Sequence, residues 1–231
     1  MFKRLGLCGL LACAAVLGAA PAAQAQQTVN FTIGFLTPIG EDARVEGDIL
    51  VDNRTFLVFD LDDFNGGTFG GEWLVGFADY FEAGAGIGFY RRTVPSVYAD
   101  FVDSDGTEID QELKLRMIPI DFTVRVLPFG RSSGFQPYFG GGLSIVNWRY
   151  SETGEFVGDN FNIFRDSFVD DGNAVGPVVL GGIRFSSDTF TVGGEVRYHA
   201  AEADLSSDFF APKIDLGGWR YQGTIGIRFG R

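Results

Sequence analysis

The chain has little with which to cross-link, coordinate or catalyse. Its two cysteines, Cys8 and Cys13, both fall in an N-terminal stretch with the layout of a signal peptide, so the mature protein is expected to hold no thiol and no disulfide. Histidine occurs once, at His199. Basic residues are also scarce, 18 against 30 acids for a net charge of −12, and no basic stripe with interleaved aromatics runs along the chain. That balance repels nucleic acid. Past residue 25 no apolar run approaches the ~20 residues that a membrane-crossing helix needs. Any passage through a bilayer would have to be made by strands.

The amino terminus places Lys3 and Arg4 ahead of an apolar run from Leu5 to Ala20 and a small-x-small site at Ala23-Gln24-Ala25. This is the pattern of a secretory signal peptide, with cleavage expected before Gln26. Leu10-Leu11-Ala12-Cys13 offers a rival lipoprotein reading, but the apolar run continues past Cys13, where a lipoprotein would turn polar. The expected organisation is a signal peptide over 1–25 and a single β domain over 26–231. Removing Lys3 and Arg4 leaves 16 basic residues against 30 acids, a net charge of −14.

What the chain has in abundance is glycine, 33 residues, and phenylalanine, 24 residues. The phenylalanines alternate with polar residues and glycines. At the carboxyl end Trp219, Tyr221, Ile225, Ile227 and Phe229 share one face of a strand, and Arg220, Gln222, Thr224 and Arg228 the other. The same period of two predicts strands over 28–36, 68–77, 81–94, 112–127, 135–149, 174–185 and 190–200. In the fourth of these the charged face changes parity between Arg116 and Asp121, and Pro119 at the change suggests a bulge. Long polar connections at 37–66, 95–111, 151–173 and 201–217 alternate with short turns, and Phe161, Phe164 and Phe168 suggest a short helix in the third. Residues 49–59 also read as a hairpin, which would lengthen a barrel from eight strands to ten, but its arms are short for a span of ~9–11 residues.

The polar face collects Glu72, Glu82, Asp121, Arg125, Arg184, Glu195, Arg197, Arg220 and Arg228 among many glycines. An eight-stranded barrel has room only for a packed interior, which phenylalanines from every strand would overfill. Turned the other way, the aromatics face lipid and the charges pair inside. A lipid-facing arginine near the midplane costs about 2–4 kcal/mol, so the charged face is expected inward, as a plug or as the lining of a narrow path for ions or small solutes.

This pattern of strands, turns and faces resembles the small outer-membrane β-barrel superfamily of the OmpA transmembrane domain, OmpX and OmpW. The resemblance implies an all-β, eight-stranded antiparallel transmembrane meander in the outer membrane of a Gram-negative bacterium, with short periplasmic turns and long exterior loops. It implies lipid and lipopolysaccharide as surroundings and the barrel-assembly machinery as a partner during biogenesis, with any extracellular partner unknown. The aromatic that usually ends such chains is here Phe229, followed by Gly230 and Arg231. The peptidoglycan-binding domain that OmpA-like proteins often carry is not expected.

Candidate chemistry is sparse. Some eight-stranded barrels are lipid A deacylases with a serine two residues after the catalytic histidine, but Ala201 holds that position here; His199 is better read as an interior histidine hydrogen-bonded to a neighbour. Asp103-Ser104-Asp105-Gly106 with Glu108 and Asp110 resembles part of a calcium loop but lacks its spacing and closing glutamate, so a solvated acidic turn is the simpler reading. Of the 30 acids, 23 lie in the four long connections, against four basic residues there. Arg91 and Arg149, at the outer ends of their strands on the lipid-facing parity, are candidates to contact lipopolysaccharide phosphates, the alternative being plain snorkelling. The expected role is non-enzymatic and structural or surface-interacting, through acidic loops on a plugged barrel, with no cofactor and no metal. A narrow pore is the second reading and a lipid A-modifying enzyme the third.

Overall fold

The computed structural model describes residues 26–158 and 160–230; the expected signal peptide lies outside them. Eight long strands form the wall: β1 Gln27–Pro38, β2 Gly66–Ala78, β3 Phe81–Val102, β4 Glu108–Val126, β5 Phe135–Val157, β6 Ile163–Ser186, β7 Phe190–His199 and β8 Gly218–Phe229. Each pairs antiparallel with its sequence neighbour, except that β7 meets β8 across the excursion at 200–217. The ring closes where β1 pairs with β8, from Gln27 opposite Phe229 to Pro38 opposite Gly218. Within the closed ring no edge is left to template association. The arms over 49–59 do not enter the ring: Ile49–Asp52 is one helical turn, and Leu57–Val58 pairs only with Val97 and Tyr98, on the part of β3 that extends past β2.

Four strands differ from their expected bounds for one reason. β3 to β6 run 19 to 24 residues, about twice the 9–11 that cross a bilayer, so their outer halves stand outside it. The expected connections at 95–111 and 151–173 are largely strand. So is the expected helix around Phe161: Ile163–Ser186 is continuous strand, Phe161 sits in the turn before it at φ 57°, and Phe164 and Phe168 both contact Phe156. A spacing of four fits the strand period as well as the helical one.

The expected bulge at Pro119 is absent as well. Ile87 pairs with Ile120 and Tyr90 with Met117, one unbroken register in which the ladder skips the intervening residues, and this gap accommodates the proline's missing donor. Odd residues of β4 face inward throughout, but their chemistry changes: Asp121, Thr123 and Arg125 at one end, Ile109, Leu113, Leu115 and Met117 at the other, all buried. The outward face reverses with them, from Ile120, Phe122 and Val124 to Lys114 and Arg116. The strand thus passes from an apolar medium to water, and the outward apolar run from Ile118 to Val126 matches one bilayer crossing of ~9–11 residues.

Because β7, β8, β1 and β2 stop near that level, the projecting halves of β3 to β6 form an open trough with an apolar concave face. Two excursions fill it. Residues 39–65 contribute Ile49, Leu50, Leu57, Phe59 and Phe64; residues 200–217 contribute Phe209, Ala211, Ile214 and Leu216; both pack on Tyr90, Val94, Leu115, Val146, Trp148 and Tyr150. Arg44 ties them together by pairing with Asp48 and donating to the Asp215 carbonyl at 2.7 Å, while the Asp215 amide donates to Asp48 at 2.8 Å. The barrel therefore has a membrane tier that is polar inside and an exterior tier that is apolar inside.

The two tiers respond differently to the same change. Phe122→Arg, on the lipid face, is expected to lower stability in urea titrations of the folded barrel in bilayers by about 2–4 kcal/mol. Asp110→Arg, on the same outward face of the same strand in the exterior tier, is expected to stay within about 0.5 kcal/mol.

Candidate functional site: the lumenal charge network and the exterior face

Of the nine charged residues expected in the lumen, six form one network across it. Arg125 on β4 binds Glu72 on β2 at 2.6 Å and Glu195 on β7 at 2.8 Å. Arg197 binds Glu195 and Asp121, both at 2.6 Å, and Glu72 at 3.1 Å; Arg220 on β8 reaches Asp121 at 2.6 Å. Three guanidiniums thus face three carboxylates, and the cluster is formally neutral. Neutrality and multidentate bonding are what let charges persist away from water, since each ion's desolvation costs several kcal/mol unless its partners restore it. The remaining three residues lie apart. Arg184 pairs with Glu82 at 2.8 Å, and Arg228, near the short-turn end, donates to the carbonyls of Ser187 and Arg131.

Neutral groups that the sequence did not single out complete the network. Ser144 donates to Asp121 at 2.6 Å, Gln222 to Glu195 at 2.9 Å, and Gln136 accepts from Arg184 at 2.8 Å. The Tyr138 ring lies 4.8 Å from the guanidinium carbon of Arg125 and 5.7 Å from that of Arg184, bridging the network and the pair by cation–π contact. All four occupy inward parity, which is the signal that points to them. Space is made by glycine: a Cβ on Gly84 would fall 3.1 Å from Glu72 Oε1, and one on Gly88 3.2 Å from Arg220 Nη1. Beside the network remains a cavity of about 10 Å³, room for about one water.

His199 is buried between Val178 and Gly218 with the Leu216 backbone beside its ring, and no side chain among the described residues hydrogen-bonds to either ring nitrogen. In the turn at 103–107 the Asp103 and Asp105 carboxylates accept from the turn itself, from the Ser104 amide and from the amide and hydroxyl of Thr107.

The exterior mouth is aromatic. Phe56 packs edge-on against Phe210, Phe168 against Phe156 and Phe209, and with Tyr98 they line a bowl of about 520 Å³. Glu152 lies buried at its base, accepting from Asn53 at 2.6 Å and Tyr150 at 2.9 Å. Burial raises its carboxyl above the usual range, with those two hydrogen bonds opposing the shift. Lower on the outside wall, Arg91 and Arg149 are not neighbours of each other; Arg116 stands between them, opposite both.

No protein-family model and no curated protein sequence matches the chain. Solved structures do. The outer membrane protein OprG from Pseudomonas aeruginosa superposes with a TM-score of 0.56 at 14% identity, over 90% of this chain and 98% of that one. Ail, the attachment invasion locus protein of Yersinia pestis, gives 0.47 at 11% identity, over 89% and 99%. The N-terminal β-barrel domain of Pseudomonas aeruginosa OprF gives 0.45 at 12% identity, over 89% and 100%. The likeness to OprG establishes the fold, that of the small outer-membrane β-barrels.

Two measurements probe the site. Arg125→Ala strands Glu72 and Glu195 partly uncompensated and is expected to cost about 3–5 kcal/mol in urea titrations. For Glu152, a folded-state pKa raised above the unfolded one means that stability is present at low pH and is lost as pH rises through the window between the two. Glu152→Gln keeps an acceptor for Asn53 and Tyr150 without the charge. Hydrogen exchange over 49–56 is expected to be slower in this variant than in the wild type at pH 7, with the difference closing as pH falls towards the ordinary glutamate range.

Proposed function

We propose that this chain is a non-enzymatic outer-membrane barrel whose lumen is closed at two levels and which works from its exterior end, as a structural or surface-interaction protein. One observation carries the reading: the two closures lie in series and are chemically independent. In the membrane tier the neutral Arg–Glu–Asp network spans the lumen, and the cavity beside it has room for about one water. In the exterior tier the excursions at 39–65 and 200–217 fill the trough with apolar side chains. A permeant ion would have to break the first and a permeant solute would have to displace the second.

The exterior end is what such a protein has left to offer. Its aromatic bowl is rimmed by acidic connections on a rigid scaffold, the arrangement by which loops held on a fixed wall carry recognition. Outside the wall, Phe229 points outward at the end of β8, where the assembly machinery would meet it.

Planar-bilayer recording of the purified, refolded barrel at high salt tests this. Silence is expected from the wild type over long recordings. Discrete, reproducible conductance steps would replace the closed barrel with a narrow pore.

A further inference from the structure

We propose that the outward face of β3, β4 and β5, just beyond the apolar girdle, binds the phosphates of a bisphosphorylated glycolipid of the lipid A type standing in the surrounding leaflet. The site rests on the outer-membrane reading above and gives that reading a specific lipid partner.

The register builds it. Arg91 lies directly opposite Arg116, and Arg116 directly opposite Arg149. One step farther from the membrane, Lys114 lies opposite Thr93 and Ser151. Side chains directly opposite on adjacent strands sit ~4.5–5.5 Å apart at Cβ, and like charges there repel. A row of three arginines with a lysine beside it is therefore unfavourable for the bare wall. Within the protein almost nothing offsets it. None of the four cations has an ion pair among the described residues, the nearest hydrogen bond being Arg116 Nη2 to Asn147 Oδ1 at a long 3.4 Å, and the buried Arg116 Nε has no partner. Of the acids on the same face, Asp171 lies directly opposite Arg149 on β6 and forms no ion pair with it, and Glu112 lies one step beyond Lys114. Arg91, Lys114, Arg116 and Arg149 line a shallow groove of about 370 Å³ with the hydroxyls of Ser151 and Thr153. The counter-charge has to come from outside, and planar guanidiniums bind phosphate by paired N–H donors.

Height along the wall identifies the source of the phosphate. Towards the membrane the next outward residues are Phe89, Ile118 and the polar Asn147, and below them Ile87, Ile120 and Ile145 form an apolar row for acyl chains; away from it they are Glu112 and Asp110. A soluble anion would approach through those acids and through the field of a chain with a net charge of −12. A lipid headgroup arrives sideways, already at the level of the cations, with its chains against the apolar girdle. The order of apolar, basic, hydroxyl and acidic rows thus matches a phosphorylated lipid and opposes a dissolved phosphate.

The test uses the whole mature barrel in phosphatidylcholine nanodiscs doped with bisphosphorylated lipid A or with its dephosphorylated form, with retained lipid read by native mass spectrometry. The wild type is expected to retain the bisphosphorylated form preferentially. Arg91→Gln/Arg116→Gln/Arg149→Gln is expected to lower that retention by at least about tenfold, as the loss of several charge-assisted hydrogen bonds requires. Arg54→Gln, whose side chain pairs with Glu41 in the 39–65 excursion and does not line the groove, is expected to match the wild type. Arg116→Gln alone serves if the triple variant loses its faster-running unboiled band, the sign of a folded barrel. Equal retention of both lipids, or undiminished retention by the variant, contradicts the site. Displacement of lipid A by millimolar inorganic pyrophosphate contradicts the lipid source. A chain that stays soluble and never enters the nanodisc contradicts the membrane reading itself, which keeps the two failures apart.

Discussion

A strand of a closed barrel without a bulge cannot turn over, so whichever parity faces the lumen at one end faces it at the other. In this protein that constraint governs the rest. β4 keeps its odd residues inward for its whole length, through a bilayer and then through water. The medium outside changes, and the sequence changes both faces to suit it: polar in and apolar out in the membrane tier, apolar in and polar out beyond it. Lys114 and Arg116 face outward for the same reason that Ile120 and Phe122 do. Each meets the medium it is compatible with.

Each tier then needs its own way of filling space. In the membrane tier a polar lumen cannot be left half satisfied, because unpaired buried charge is expensive, and three arginines against three acids solve this with no net charge. In the exterior tier the wall is only half a cylinder, and an apolar trough facing water would be a large exposed patch. The excursions at 39–65 and 200–217 cover it, and the buried Arg44–Asp48–Asp215 contacts hold the two together. Leu57–Val58 also pairs with the exposed edge of β3, and Glu202–Asp204 with Lys213–Asp215 forms a hairpin beside β6.

The membrane tier was legible in the sequence because lipid writes a strong pattern: Phe, Ile and Val alternate with glycine and charge, and eight such stretches could be counted. The exterior tier was not. Its outward residues are polar and its inward ones are hidden among them, so 95–111 and 151–173 resembled loops although most of both is strand. The parity change between Arg116 and Asp121 is visible in the sequence and suggests a bulge, but the wall is regular and the solvent is what changes. The six networked charges and the separate Arg184–Glu82 pair share a single parity, and only the register across strands sorts them. The same limit hid Arg116, the residue that joins Arg91 to Arg149.

The central claim is most directly tested by site-directed spin labelling along β4, since the chain past residue 25 has no cysteine to interfere. Nitroxides placed singly from position 111 to 125 in bilayers would be read for collisional access to oxygen and to a water-soluble nickel complex. Even positions should be open to the nickel complex at 112, 114 and 116 and to oxygen at 120, 122 and 124. Odd positions should be shielded from both throughout. A switch of the shielded positions from odd to even between 116 and 121 would show that the strand turns over, and the two-tier barrel would be wrong.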